Sequence, residues 1–299
     1  MPEHRTPHQH STTRGRSPHR IPGRPFGRVT TGSLVLYLVA ISAAVFWLAP
    51  LLWALSTATK PEGETNAIPA RWIPTDPTLE HVAQVLGRGE VLRWILNSVV
   101  VSSLVTLLTL VLCCLAAYGF SRCVFPGRAW VFALVIGGIL IPPQAVIVPQ
   151  FILMTQLNMV DTYWGIALPQ VVTPIFVFIL KRFFDGIPRD YEDAARMDGA
   201  GHLRVLFSVI LPLSRPILAA VGIFVFIGAW NNFLWPFVVV QDPDLMTIPV
   251  GLGTVASDYG LQYAPSMAAA VIGALPLLIV FLLFQRQIVT GIAGAGIKG

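Results

Sequence analysis

The sequence predicts an all-α polytopic membrane protein, and three observations lead there. Hydrophobic residues make up 55% of the chain and charged residues only 12%, whereas soluble domains carry about 25% charged residues. Six apolar stretches reach the ~20 residues that a bilayer-spanning helix needs. Basic residues concentrate in alternate connecting segments, as membrane topology requires. The same composition excludes a disordered chain, a basic nucleic-acid-binding domain and a disulfide scaffold. Cys113 and Cys114 are neighbours in an apolar run and Cys123 follows it. They have no zinc-ligand spacing, and adjacent cysteines rarely bridge, so all three read as packing residues.

The expected spans are Ser33 to Thr57, Trp94 to Phe120, Ala129 to Gln156, Thr162 to Leu180, Pro216 to Val240 and Tyr263 to Phe284. None contains Lys, Arg, Asp, Glu or His. The third is interrupted by Pro142, Pro143 and Pro149. Its first part, to Ile141, would reach only about 20 Å at ~1.5 Å per residue. It is therefore expected to continue, kinked, past the prolines.

Placing both termini in the cytoplasm puts most basic residues inside. Arg5, Arg14, Arg16, Arg20, Arg24, Arg28, Arg122, Arg128, Lys181, Arg182, Arg189, Arg196, Arg204, Arg215, Arg286 and Lys298 fall there, and only Lys60, Arg71, Arg88 and Arg93 fall outside. The 1–28 tail, rich in Pro, Arg, His and Ser, is expected to be a disordered basic cytoplasmic segment, with 29–299 as the transmembrane domain. His8 and His10 form H-x-H, for which a metal site and a solvated basic tail near anionic lipid are the two readings. The first span is too long for a signal-peptide apolar region. The outer segment from Lys60 to Arg93 holds Pro61, Pro69, Pro74 and Pro77 and is expected to carry a short helix near Leu79–Leu86.

Absences bear on mechanism. Spans without titratable side chains offer no proton relay of the kind carriers use, although sodium sites built from backbone carbonyls stay open. The three lysines, Lys60, Lys181 and Lys298, lie outside any phosphate-cradling G-x-x-x-x-G-K-[ST]. Protease signatures and paired intramembrane aspartates are absent too. The chain reads as a transport or scaffold protein rather than an enzyme, binding no cofactor itself.

One inner loop, about 181–215, is long and polar. Pro188 ends the preceding helix, and Asp190 is placed to cap a new one with Asp193 three positions on. Ala194, Ala195, Arg196 and Met197 continue it, and Gly199 and Gly201 end it. A second apolar helix is expected from near Leu203 toward Pro212. Small Ala194 and Ala195 would admit another backbone closely, and Glu192, Asp193 and Asp198 would meet basic groups on a partner. An interfacial helix lying on the membrane is the alternative.

The loop resembles the EAA motif of inner-membrane permease subunits of ATP-binding-cassette importers: E-A-A, three residues, G, nine residues, I-x-L-P. Here it reads Asp193-Ala194-Ala195, then Gly199, then Val209-Ile210-Leu211-Pro212. Asp193 replaces Glu and Val209 replaces Ile. Ile141 to Gln144, Phe183 to Pro188, Asp198 to Ala200, Ala229 to Pro236 and Gln285 to Gly299 are similar to the carbohydrate-type branch, typified by a maltose permease subunit with a six-span core. The resemblance runs from about Leu34 to Gly299.

The resemblance implies that Glu192, Asp193, Ala194, Ala195, Asp198 and Gly199 form a coupling helix that docks in a cleft of a separate ATPase. The implied partners are a second permease, an ATPase dimer on the cytoplasmic face and an extracytoplasmic solute-binding protein, with ATP used by the ATPase. The glycine-rich end, Gly291 to Gly299, would reach toward that dimer. The implied cargo is a mono- or oligosaccharide, with a polyol or glycerol phosphate as alternatives, and the implied location is the bacterial inner membrane. A self-sufficient carrier or channel and a scaffold remain the other classes.

Trp230, Asn231, Asn232, Phe233 and Trp235 lie midway along the fifth span. Amides there must face protein, water or a ligand. Aromatic rings beside amides suit sugars, and helix–helix packing is the other reading. Asn97, Gln144 and Gln150 are weaker candidates of the same kind.

Overall fold

A computed structural model describes residues 31–87, 89–171, 173–258 and 262–296. The expectations for the 1–28 tail, His8 and His10 among them, and for the last three residues of the C-terminal run lie outside the described residues. Among the described residues every regular element is helical. The chain divides into two compact units, Met1–Ala49 and Pro50–Gly299.

The first unit contains most of α1 (Thr31–Ala58). Its apolar side chains, Leu36, Phe46 and Trp47 among them, are exposed. Charged residues are absent over its whole length, so its mean hydropathy of 2.3 suits a bilayer crossing.

The second unit is organised on α4 (Glu90–Arg122), whose only charged residues, Glu90, Arg93 and Arg122, sit at its ends. Val91, Trp94, Asn97, Ser98, Val101, Val105 and Thr109 form a buried stripe at three- and four-residue spacing. Leu96, Leu107 and Leu112 leave the opposite side exposed and apolar. Before α4 come two short helices of the proline-rich segment, α2 (Glu62–Thr65) and α3 (Glu80–Gly87). The second is the short helix expected near Leu79–Leu86.

Around α4 the apolar segments are mostly broken helices. After α5 (Arg128–Gly137), two 3-10 turns pass through Ile141 and Pro142 into α6 (Ile147–Gln156). The two arms are bent by 96°, so the proline run makes a near right angle rather than the expected kink, because Ile141 and Pro142 are extended. The fourth expected span is also divided, into α7 (Tyr163–Val171) and α8 (Pro174–Asp185). Thr173, ahead of Pro174, has φ −131° and ψ 87°, off the helical region.

Beyond α9 (Asp190–Met197), α10 (His202–Val205), a π-helical turn Leu206–Ile210 and α11 (Leu211–Leu213) form one rod. That rod meets α12 (Arg215–Trp230) at 83°. The expected fifth span, Pro216 to Val240, ends its helix at Trp230 and resumes as α13 (Leu234–Val239). Then follow α14 (Ile248–Asp258) and α15 (Tyr263–Gly296). The backbone of α15 stays helical through the glycine-rich run as far as Gly296. Among the described residues three helices are long and apolar enough to cross a membrane, or up to six segments if each bent pair is one span.

Side chains of α4 close the polar gaps that these breaks open. Trp94 Nε1 donates to Pro243 O at 3.2 Å, and Asn97 Nδ2 donates to Asp244 O and Met246 O at 2.8 Å each. Ser98 Oγ accepts from Ile248 N, and Thr109 Oγ1 donates to Val171 O. Arg122 Nη2 donates to Phe184 O and Ile187 O at 2.7 and 2.8 Å.

At the α14 contact, a Cβ built on Gly251 would lie 2.1 Å from the ring of Trp94, which is 3% exposed. The ring or the backbone of α14 would have to move to admit it. Gly251→Ala is expected to destabilise the protein by about 1–3 kcal/mol. Thermal unfolding in detergent measures it, and Trp94→Phe should recover part of the loss.

Candidate functional site

Helix α9 projects at the end of the unit where α4 and α8 terminate. Its start differs from the expected cap. Arg189 occupies the N-cap position with helical φ and ψ, Asp190 is already the first helical residue, and no side chain caps the helix. The amides of Glu192 and Asp193 instead bond to Arg189 O at 2.8 and 2.9 Å. Asp190, Glu192 and Asp193 fill the first turn, where negative charge complements the helix dipole.

The C-terminus closes as a Schellman turn: Ala200 N bonds to Ala195 O and Gly199 N to Arg196 O. Gly199 has φ +80°, in the left-handed region. A Cβ there would meet nothing within 4 Å, so the requirement for glycine is torsional.

The six loop residues singled out from sequence do not share one face. Asp193, Ala194, Asp198 and Gly199 are exposed, together with Tyr191 and Met197. Ala195 is half-buried against the core. Glu192 is buried, and its Oε1 lies 2.5 Å from Arg122 Nε, both side chains being 5% exposed. It is engaged inward, not free to meet a partner.

Beside that pair, Asp185 Oδ1 accepts from Ser121 Oγ and Oδ2 from Lys181 Nζ, each at 2.7 Å. Burial pushes the Asp185 carboxyl up. The hydrogen bonds from Lys181 and Ser121, with the charges of Lys181 and Arg122, outweigh it and hold the group below the usual carboxylate range. Ser121, Arg122 and Asp185 were not singled out from sequence as site residues. The available signal was a lone arginine closing an otherwise uncharged span.

The fifth-span candidates separate at the helix break. Trp230 is 3% exposed and stacks on Phe226 with centroids 5.9 Å apart. Trp235 is 5% exposed, and its Nε1 donates to Gly165 O and Ile166 O at 3.1 Å each. Both are internal packing residues here. Asn232 Nδ2 donates to Gln170 Oε1 at 2.7 Å, a partner not anticipated from sequence. Asn231 is exposed and bonds back to Ile227 O. Phe233 and Phe237 stack at 5.1 Å and are both exposed. Asn97 holds loop carbonyls and accepts from Tyr163 Oη at 2.7 Å, a structural role. Gln144 is exposed and Gln150 half-buried. Cys113 and Cys114 are buried free thiols, as packing residues are. Among the described residues no cluster of metal-ligating side chains occurs.

Residues 21–294 match the family described as binding-protein-dependent transport system inner membrane component. The chain belongs to this family. The permease is 32% identical over 271 residues to the arabinooligosaccharides transport system permease protein of Bacillus subtilis, covering 89% of this chain and 95% of the relative. It is also 32% identical over 271 residues to the trehalose/maltose transport system permease protein of Thermococcus litoralis, covering 89% and 97%. It superposes with a TM-score of 0.75 on a chain in the crystal structure of a bacterial ABC transporter involved in the import of the acidic polysaccharide alginate. Identity to that chain is 22%, with 86% of this chain and 98% of the other covered, and the likeness is one of fold.

Two outcomes follow for the permease. Gly199→Val should destabilise the end of α9 by about 1–2 kcal/mol while Gly199→Asn costs less, because only the latter tolerates positive φ. Hydrogen exchange at Asp198 to Ala200 reads the difference. Because the folded Asp185 carboxyl titrates below its unfolded value, its stabilising contribution is full above about pH 4 and is lost as pH falls through the folded value. Asp185→Asn should flatten that acid limb in thermal unfolding.

Proposed function

We propose that this chain is one permease subunit of an ATP-driven importer for a mono- or oligosaccharide. It works with a second permease, two ATPase subunits and an extracytoplasmic binding protein, in a bacterial inner membrane. The observation that carries the reading is the exposed, acidic, small-residue face of α9, at the motif spacing of ATPase-coupled permeases, in a chain that belongs to a binding-protein-dependent family. The names of the arabinooligosaccharide and trehalose/maltose relatives support the sugar class. ATP is bound and hydrolysed by the partner, and this chain carries no cofactor.

In this reading the face of Asp193, Ala194, Asp198 and Gly199 docks in the ATPase cleft. Ala194 lets the partner backbone approach, Asp193 meets a cation, and the left-handed Gly199 turns the chain sharply so that the docking helix ends cleanly. The basic residues gathered around this loop support a cytoplasmic position for it and for both termini. ATP-driven closure of two ATPases then draws two such helices together and reorients the spans.

The helix break at Asn231 and Asn232 is the best candidate for the substrate path. Non-helical backbone at membrane depth is tolerated where it lines a cavity or is buried in protein. Asn231 offers amide hydrogen bonds there, and exposed Phe233 and Phe237 offer faces for a sugar's CH groups. Trp230 and Trp235 act indirectly, by holding the break in place.

Mild-detergent extraction of the tagged chain, followed by mass spectrometry, should recover an ATPase, a second permease and a binding protein. Recovery of the chain alone, under conditions that keep a control importer intact, overturns the reading. Gly199→Trp should abolish sugar uptake while the protein remains in the membrane, and normal uptake by that variant removes α9 from the mechanism.

A further inference from the structure

We infer that Arg122 is a positioning residue, a strut that makes the inner ends of α4 and α8 move as one body with α9. The inference rests on the coupling role proposed for α9 and extends it to residues that the docking motif does not contain.

One guanidinium serves three elements. Arg122 is itself the last residue of α4. Its Nη2 donates to two carbonyls at and just past the end of α8, Phe184 O, which also accepts from Ile187 N, and Ile187 O. Its Nε holds Glu192 of α9 at 2.5 Å. The guanidinium fork places its Nη2 hydrogen bonds on the carbonyls and its charge against Glu192, whose Oε1 meets Nε as an ion pair without hydrogen-bond geometry, and arginine keeps its charge.

Burial makes the arrangement stringent. Both side chains of the ion pair are 5% exposed, and removing one partner would strand the other charge in a site with little water. The chain joins α9 directly to α8, through Gly186 to Arg189, and to α10, through Gly199 to Gly201. It does not join α9 to α4; the buried ion pair links them, beside a contact of Tyr118 on α4 with Arg196 on α9. The exposed face of α9 stays free for docking because Glu192 points the other way. A pull on α9 would thus reach two apolar helices through one side chain, and would reach α12 through the α10–α11 rod.

The test uses the chain assembled with its ATPases and second permease in nanodiscs. Spin labels are placed at Met197→Cys on α9 and Val124→Cys just past α4, with Cys123→Ser. Both labelled positions are highly exposed, at 88% and 93%. ATP with vanadate closes the ATPases, and the label-to-label distance is read before and after.

With Arg122 and Glu192 intact, the distance should not change on closure. With Glu192→Gln, which keeps shape but removes charge, it should shift or broaden on closure, while ATPase co-purification is retained. If Glu192→Gln does not assemble, Arg122→Lys, which keeps the charge and loses the fork, replaces it with the same expectation. An unchanged distance in these variants, or a shift already present with the pair intact, overturns the strut. Loss of ATPase binding in Glu192→Gln assigns the residue to docking and also overturns it. If no ATPase co-purifies with the intact pair, the coupling reading itself has failed, and the strut falls with it.

Discussion

A backbone amide or carbonyl released where there is little water must find another partner, and one helix of this protein supplies several of those partners. Helix α4 is unbroken over 33 residues, so its side chains stand at fixed heights along the unit. Trp94, Asn97, Ser98, Thr109 and Arg122 each reach a backbone group at or beside a place where another segment leaves the helical path. The broken helices around α4 are tolerable because a regular helix carries polar side chains to the breaks. Where α4 does not reach, Trp235 Nε1 donates to Gly165 O, and Asn232 Oδ1 accepts from Trp235 N.

The two ends of the unit are built differently. Near the start of α4, Trp94 and Asn97 hold loop carbonyls, and the ion pair between Arg93 and Asp244 is exposed. Such a pair contributes little in water. Near the end of α4 the charged pair is buried, and a second pair, Lys181 with Asp185, lies next to it. Charges taken out of water need close, well-oriented partners, so this end has a defined geometry. That is where α9 is mounted.

Much was legible in the sequence because it rests on local chemistry. Apolar length located α1, α4 and α15, since backbone hydrogen bonding in hydrocarbon demands long helices. Gly199 was legible as a turn residue, and its positive φ follows from the Schellman closure that a glycine at that position allows. The Asp190 cap was misplaced because Arg189 already takes up helical angles and its carbonyl serves the first amides. The proline run after Ile141 was seen, but not the size of its bend, which depends on which extended residues the packing selects.

By itself the sequence determined the helical class, the apolar lengths, the charge asymmetry of the connecting segments and the local form of the α9 turn, all set by interactions within a few residues of chain. Only the tertiary structure decided which loop acids are free. Glu192 and Asp193 are adjacent and alike in charge, yet one is buried on Arg122 and the other is exposed. Neighbouring positions on a helix point about 100° apart, and which direction is inward depends on helices that lie far away in sequence. The same reason turned Trp230 and Trp235 into packing residues and left Asn231 open at the helix break.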